Sequence, residues 1–188
     1  RRAIDATLPP FSYRVMPYHN LGEPEGAKVS DGIIENNWYR VEVDAATGGL
    51  KSWFDKELGQ ELASQSGPWR LGQYVYEWID DPADRRAVFA VDYLREDFGV
   101  RRTNTAFRRS GPTFVEVMPT LIKPDGVAVE LRIKAAGAHA IKVRYTLPYH
   151  EKALHIDMVV DKEFHTLAEA VYVPFPLALG KPQFHLDL

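Results

Sequence analysis

The chain of 188 residues contains no cysteine. That excludes a disulfide framework and favours a cytoplasmic setting for the parent protein. No apolar run reaches the ~18 residues needed to span a bilayer, and the N-terminus lacks the basic, apolar, small-residue order of a signal peptide. Net charge is low, at -3 with both signs interspersed, so neither nucleic acid nor an anionic membrane finds an electrostatic footprint. The short basic cluster Arg101-Arg102 and Arg108-Arg109 has Phe107 as its only aromatic and reads as a solvated strand face. There is no GxSxG elbow, P-loop or dinucleotide fingerprint, which leaves acyl, phosphoryl and hydride transfer without support. Internal repeats, linkers and low-complexity tracts are absent as well.

What is present is an ordinary globular composition, 45% hydrophobic and 26% charged, in a chain long enough to bury roughly 70% of its unfolded surface. One domain over 26–188 is expected, with 1–25 as an edge strand or a remnant of a preceding domain. The start at Arg1 without methionine and the end at Leu188 in a strand-like segment suggest a piece of a longer polypeptide.

Alternation at a period of two dominates. Tyr39, Val41 and Val43 interleave with Trp38, Arg40 and Glu42, the pattern of a half-buried strand. Ala45 to Gly49 follows as a hairpin loop in which two glycines can supply positive φ. Leu50 to Phe54 returns as the second strand, and Asp55-Lys56-Glu57-Leu58-Gly59 closes the unit as a turn. Further strands are expected at Thr113 to Val117, Val127 to Lys134, Ile141 to Leu147 and Leu154 to Asp161, with Pro148 to Lys152 joining the last two. Helical signals are sparse. Pro82 to Leu94 has Asp81 as an N-cap candidate but fits alternation equally well, and Glu61 to Ser64 is at most one turn. Regularly spaced short strands predict an all-β sandwich.

Glu35-Asn36, Tyr39-Arg40-Val41, Gly48-Gly49, Asp55-Lys56 and Glu61-Leu62, taken together, resemble the start of the C-terminal β-sandwich region of family 38 glycoside hydrolases. That family includes the retaining α-mannosidases. Leu8-Pro9-Pro10-Phe11 with Tyr13, Gly72-Gln73-Tyr74-Val75-Tyr76-Glu77, and Glu169-Ala170-Val171-Tyr172-Val173-Pro174-Phe175-Pro176 extend the resemblance, in order, over most of the chain. Asp84 to Gly111 matches little and reads either as an insertion or as a divergent pair of strands. The resemblance implies an antiparallel supersandwich of the galactose mutarotase-like type. It also implies a carbohydrate substrate and a catalytic barrel, N-terminal in the same chain, on which this domain packs. The family's nucleophile and zinc ligands belong to that barrel, so no catalytic residue, metal ligand or cofactor is expected here.

The resemblance further implies that Tyr74, with Gln73 beside it, reaches a sugar, because a tyrosine of a comparable Gly-x-Tyr segment does so in animal members of the family. Physically, a glycine permits close backbone approach, and a phenol offers a stacking face and a hydroxyl. The competing reading is a core tyrosine, in an aromatic stripe with Tyr76. Trp38, Trp53, Trp69 and Trp78 are read as core packing first and as a sugar-stacking platform second. Trp38 and Trp53, opposite their strands' main apolar rows, also suit contact with another domain. His155-x-Asp157 and His185-x-Asp187 each place an imidazole and a carboxylate on one strand face, but outward polar positions explain both. His139, His150 and His165 fall near turns and are expected to be exposed. Asp80, Asp81, Asp84, Glu96 and Asp97 read as solvated loop carboxylates.

Three functions follow in order. The first is a non-catalytic sandwich domain of a retaining α-mannosidase-like hydrolase. A carbohydrate-binding module and a free-standing aldose epimerase, which needs a His acid and a carboxylate base in one cleft, are the alternatives.

Overall fold

The computed structural model describes residues 28–79, 107–123, 125–165 and 169–180. Pro82 to Leu94, the residues before 28, and His185 with Asp187 lie outside that set.

Among the described residues there are only strands, turns and loops, and every strand pairing is antiparallel. The first sheet is a meander of β1 (Lys28–Ser30), β2 (Ile33–Glu35), β3 (Tyr39–Val43), β4 (Leu50–Asp55) and β5 (Gln60–Glu61), in that order. A short strand, β6 (Val75–Ile79), is the centre of a separate three-stranded sheet, between β13 (Glu169–Tyr172) and β7 (Phe107–Ser110). The remaining sheet runs β12 (His155–Lys162), β11 (Ala138–Pro148), β10 (Gly126–Lys134), β8 (Phe114–Val117), with β9 (Leu121–Ile122) also on β10.

Alternation decides what each strand buries. Ile34, Val41, Val43 and Leu50 of the first sheet meet Val127, Val129, Leu131, Ile133, Ile141, Val143, Tyr145 and Leu147 of the β8 to β12 sheet in one core. Each such side chain contributes about 1.5–3 kcal/mol by leaving water. The outward residues of β10 and β11, Glu130, Arg132, Lys134, Lys142 and Arg144, remain at the surface. The result is a β-sandwich, as the spacing of the strands predicts.

Three local expectations need correction. Leu50 to Asp55 does not alternate simply, because a bulge shifts the register between Glu42 and Val43, so that Val43 pairs Leu50 and Val41 pairs Trp53. Trp53 therefore faces inward with Leu50, edge-on to Tyr39 at 5.5 Å, and not opposite the apolar row. The segment after the turn is strand β5 and not a helical turn. Glu61 holds it there: its carboxylate accepts the Trp53 N–H at 2.6 Å, the Ala63 N–H at 3.0 Å and the Ser52 hydroxyl at 2.5 Å. Finally, only one of the loop glycines has positive φ. Gly48, at +73°, turns the chain, while at Gly49 a Cβ would lie 2.6 Å from the Arg70 Cβ.

Two buried polar residues fix the same end of the sandwich. Asn36 accepts the N–H groups of Trp38 and Tyr39 at 2.9 and 2.8 Å and donates to the Pro148 carbonyl at 2.7 Å, tying β2 and β3 to the end of β11. Asp55 accepts the N–H groups of Glu57 and Leu58 at 2.9 and 3.0 Å and meets Lys152 Nζ at 3.0 Å. The backbone bond from Leu58, aided by Lys152, outweighs burial and holds the Asp55 carboxyl below its ordinary range. Glu57 and Asp55 together hold the Lys152 ammonium above its own.

Asn36→Ala strips two N–H groups and one carbonyl of their partner, and a loss of about 2 kcal/mol or more is expected, since each buried orphan costs ~1–3 kcal/mol. A lowered urea midpoint at unchanged slope checks it. Because the Asp55 pKa is depressed on folding, its contribution is complete above the unfolded value of about 3.9 and disappears as pH falls through the folded value. The acid limb of a stability–pH curve should therefore be shallower in Asp55→Asn than in the parent chain, and superimposable limbs would remove Asp55 as a cause.

Candidate functional site

The chain leaves the first sheet through Leu71-Gly72-Gln73-Tyr74 and enters β6, so this segment lies where all three sheets converge. Backbone bonds pin it on both sides: the Leu50 N–H donates to the Leu71 carbonyl at 2.8 Å, and the Gly72 N–H to the Pro174 carbonyl at 2.9 Å. Tyr145, wholly buried on β11, donates its hydroxyl to the Gly48 carbonyl at 2.9 Å and lies 3.3 Å from that of Gly72. Gly72 has φ +75°, and a Cβ there would stand 2.8 Å from the Tyr145 hydroxyl. Glycine is thus demanded twice, by conformation and by space. Burial raises the pKa of the Tyr145 phenol, which keeps it protonated as a donor.

Both expected sugar-contacting residues are enclosed. Tyr74 is 0% exposed, and its hydroxyl donates to the Ala136 carbonyl at 3.0 Å. Gln73 is 3% exposed; its side-chain oxygen accepts the Arg70 N–H at 2.9 Å, and its amide packs against Gly111. Tyr76, two residues on, shares the core with Tyr74.

Around Tyr76 the β6 to β13 pairing builds a latch to the end of β12. Tyr76 donates to the Glu169 carboxylate, Lys162 pairs with the same carboxylate, and the Lys162 ammonium sits 5.7 Å over the Tyr76 ring. Trp78 stacks on Tyr76 at 5.5 Å, and Gly137 leaves room for the ring edge. Burial acts to raise the Glu169 pKa, but the bonds from Lys162 and Tyr76 prevail and lower it. Burial and then the Glu169 bond push the Tyr76 phenol upward.

On the other face of β6, Glu77 is buried with Arg109 Nε at 2.5 Å and accepts the Tyr172 hydroxyl at 2.9 Å. The registers Glu77↔Ala170 and Trp78↔Glu169 put the Glu77 and Glu169 carboxylates on opposite faces of this sheet, so these two cannot flank one scissile bond. Arg109 lies, as expected, on an exposed strand face, and from there it reaches Glu77 to form this ion pair. No signal in the local sequence announces the Glu77 or Glu169 partners, because β7, β12 and β13 are distant in the chain.

The other candidates fall on surfaces. His155 and Asp157 are exposed on the outward face of β12, where His155 stands 3.5 Å from Glu151. His139, His150 and His165 are exposed. All four tryptophans are half-buried, and Trp38, Trp53 and Trp78 pack against the core. Among the described residues no three His, Asp or Glu side chains group as metal ligands. No protein-family model matches the chain, and no curated protein does either.

Gly72→Ala is expected to lower stability by at least ~1–2 kcal/mol from the left-handed backbone alone, with the clash against Tyr145 added. Tyr74→Phe should cost only about 0.5–1.5 kcal/mol, the net worth of one hydrogen bond to a carbonyl that water can reach. Paired urea titrations check the ranking, and a milder effect at Gly72 than at Tyr74 would contradict it.

Proposed function

We propose that the chain is a non-catalytic β-sandwich domain, of the galactose mutarotase-like type, from a retaining α-mannosidase-like glycoside hydrolase, and that it supports a zinc-dependent catalytic barrel. One observation carries this reading: the residues that resemble family 38 are bound to one another as a scaffold. Lys56 pairs with Glu35 at 2.8 Å and donates to the Asn36 carbonyl, Asn36 caps β3, and Asp55 closes the turn. Glu61 seats β5 through Trp53, Gly48 receives Tyr145, and Tyr39 and Val41 fill the core. Such mutual dependence explains why these types occur together, since changing one leaves a buried partner unsatisfied.

A second feature suits a barrel partner. The segment after β13 runs antiparallel beside Leu62 to Ser64, and along it Phe175, Leu177 and Leu179 are 60%, 41% and 43% exposed. An apolar row of this kind on a short edge is a surface for another domain. We give Tyr74 and Gln73 a structural part in this domain, because contact with sugar would require breaking the Tyr74–Ala136 bond and withdrawing both side chains from the core.

The isolated chain is expected to show no turnover of aryl α-mannosides with or without added zinc, and zinc-dependent hydrolysis by it would overturn the proposal. The reading frame upstream of Arg1 is expected to encode a strand–helix barrel with a His-x-Asp zinc motif. Any other domain there would overturn it equally.

A further inference from the structure

The outward face of the β8 to β12 sheet carries a charge arrangement that its own stability does not explain. Arg132 and Lys142 are direct cross-strand partners on that face, two cations side by side. Like charges directly opposite one another destabilise an antiparallel pair. Arg132 reaches Glu116 only at 3.9 Å, with both side chains about half exposed, and Lys142 forms no ion pair with a described residue. Arg144, one row away, is by contrast held by Glu130 at 2.6 to 2.7 Å. Over these rows lies a shallow groove of about 220 Å³, with Met118, Val159 and Asp157 completing its walls.

We propose that this groove binds a small polyhydroxyl ligand bearing a single oxyanion, carboxylate or phosphate, held between Arg132 and Lys142. The guanidinium and the ammonium, on neighbouring strands along the groove, supply charge-assisted donors for the oxyanion. Glu130 and Asp157, in the same groove, disfavour a second anionic group and accept hydrogen bonds from neutral hydroxyls, which selects a single carboxylate or phosphate group accompanied by hydroxyls. Val159 and Met118 give the C–H face of the ligand an apolar rest. The volume falls below the ~300–1,000 Å³ of sites for drug-sized ligands, so one sugar-sized molecule is accommodated. This site stands on its own observations and does not depend on kinship with a hydrolase.

Amide chemical shifts of the 188-residue chain, followed while D-glucuronate, D-glucose 6-phosphate, inorganic phosphate and D-glucose are titrated at physiological salt, test the proposal. Saturable shifts at Arg132, Lys142 and Val159 are expected with one or both sugar acids, and whichever binds identifies the oxyanion. Arg132→Gln with Lys142→Gln should weaken that binding at least about tenfold, the worth of one charge-assisted hydrogen bond. Lys142→Glu should abolish binding and raise the melting temperature, because it converts a repulsive pair into an attractive one. No saturable shift with either acid, equal shifts with D-glucose, or full binding by the double variant would overturn the site. Inorganic phosphate binding as tightly as both sugar acids would overturn the polyhydroxyl assignment. A melting temperature that Lys142→Glu leaves unchanged or lowers would overturn the stability argument beneath it.

Discussion

The hydroxyl of Tyr145 sits where the three sheets meet, and much of the architecture follows from the need to satisfy it. Tyr145 belongs to β11, the Gly48 carbonyl to the hairpin loop of the first sheet, and the Gly72 carbonyl to the lead into β6. A buried donor without a partner would cost ~1–3 kcal/mol, and each carbonyl it approaches is likewise remote from water. Gly48 and Gly72 both have positive φ, and a Cβ on either would strike the opposing sheet. The two glycines and the phenol therefore form one unit spanning residues far apart in the chain, and the hairpin, the sandwich core and the third sheet are positioned by it together.

A second constraint works at the other end. Asn36 and Asp55 replace missing backbone partners where strands turn, and each also reaches the β11 to β12 side through Pro148 or Lys152. Polar groups buried in this way specify a unique arrangement more than they add net stability. The proposed resemblance rests largely on these same groups, and their chemistry is that of turn closure and sheet docking.

The strands and their inner faces were legible from alternation, as at Ile141 to Leu147, where each second residue is buried. Expectations failed where one residue of register changed a face. At Trp53 the bulge beside Val43 turns the indole inward, and a period-two reading has no means of locating a bulge. β5 was missed because two residues are too few for periodicity, and Glu61 secures them through side-chain bonds. At the candidate site the sequence singled out Gly72-Gln73-Tyr74 for a sugar contact, and the structure places Tyr74 and Gln73 in the interior. The sequence was silent on the partner, Tyr145, 73 positions from Gly72.

What the sequence determined by itself was the all-β character and the positions of the longer strands, since these depend on neighbours within a few residues. Tertiary structure decided the rest: that Tyr74 points into the core, that Glu77 and Glu169 stand back to back across a sheet, and that Arg132 faces Lys142. Each of these depends on which strands pair and in what register. That is settled by the joint burial of two apolar faces and the satisfaction of the polar groups between them, which no single segment encodes.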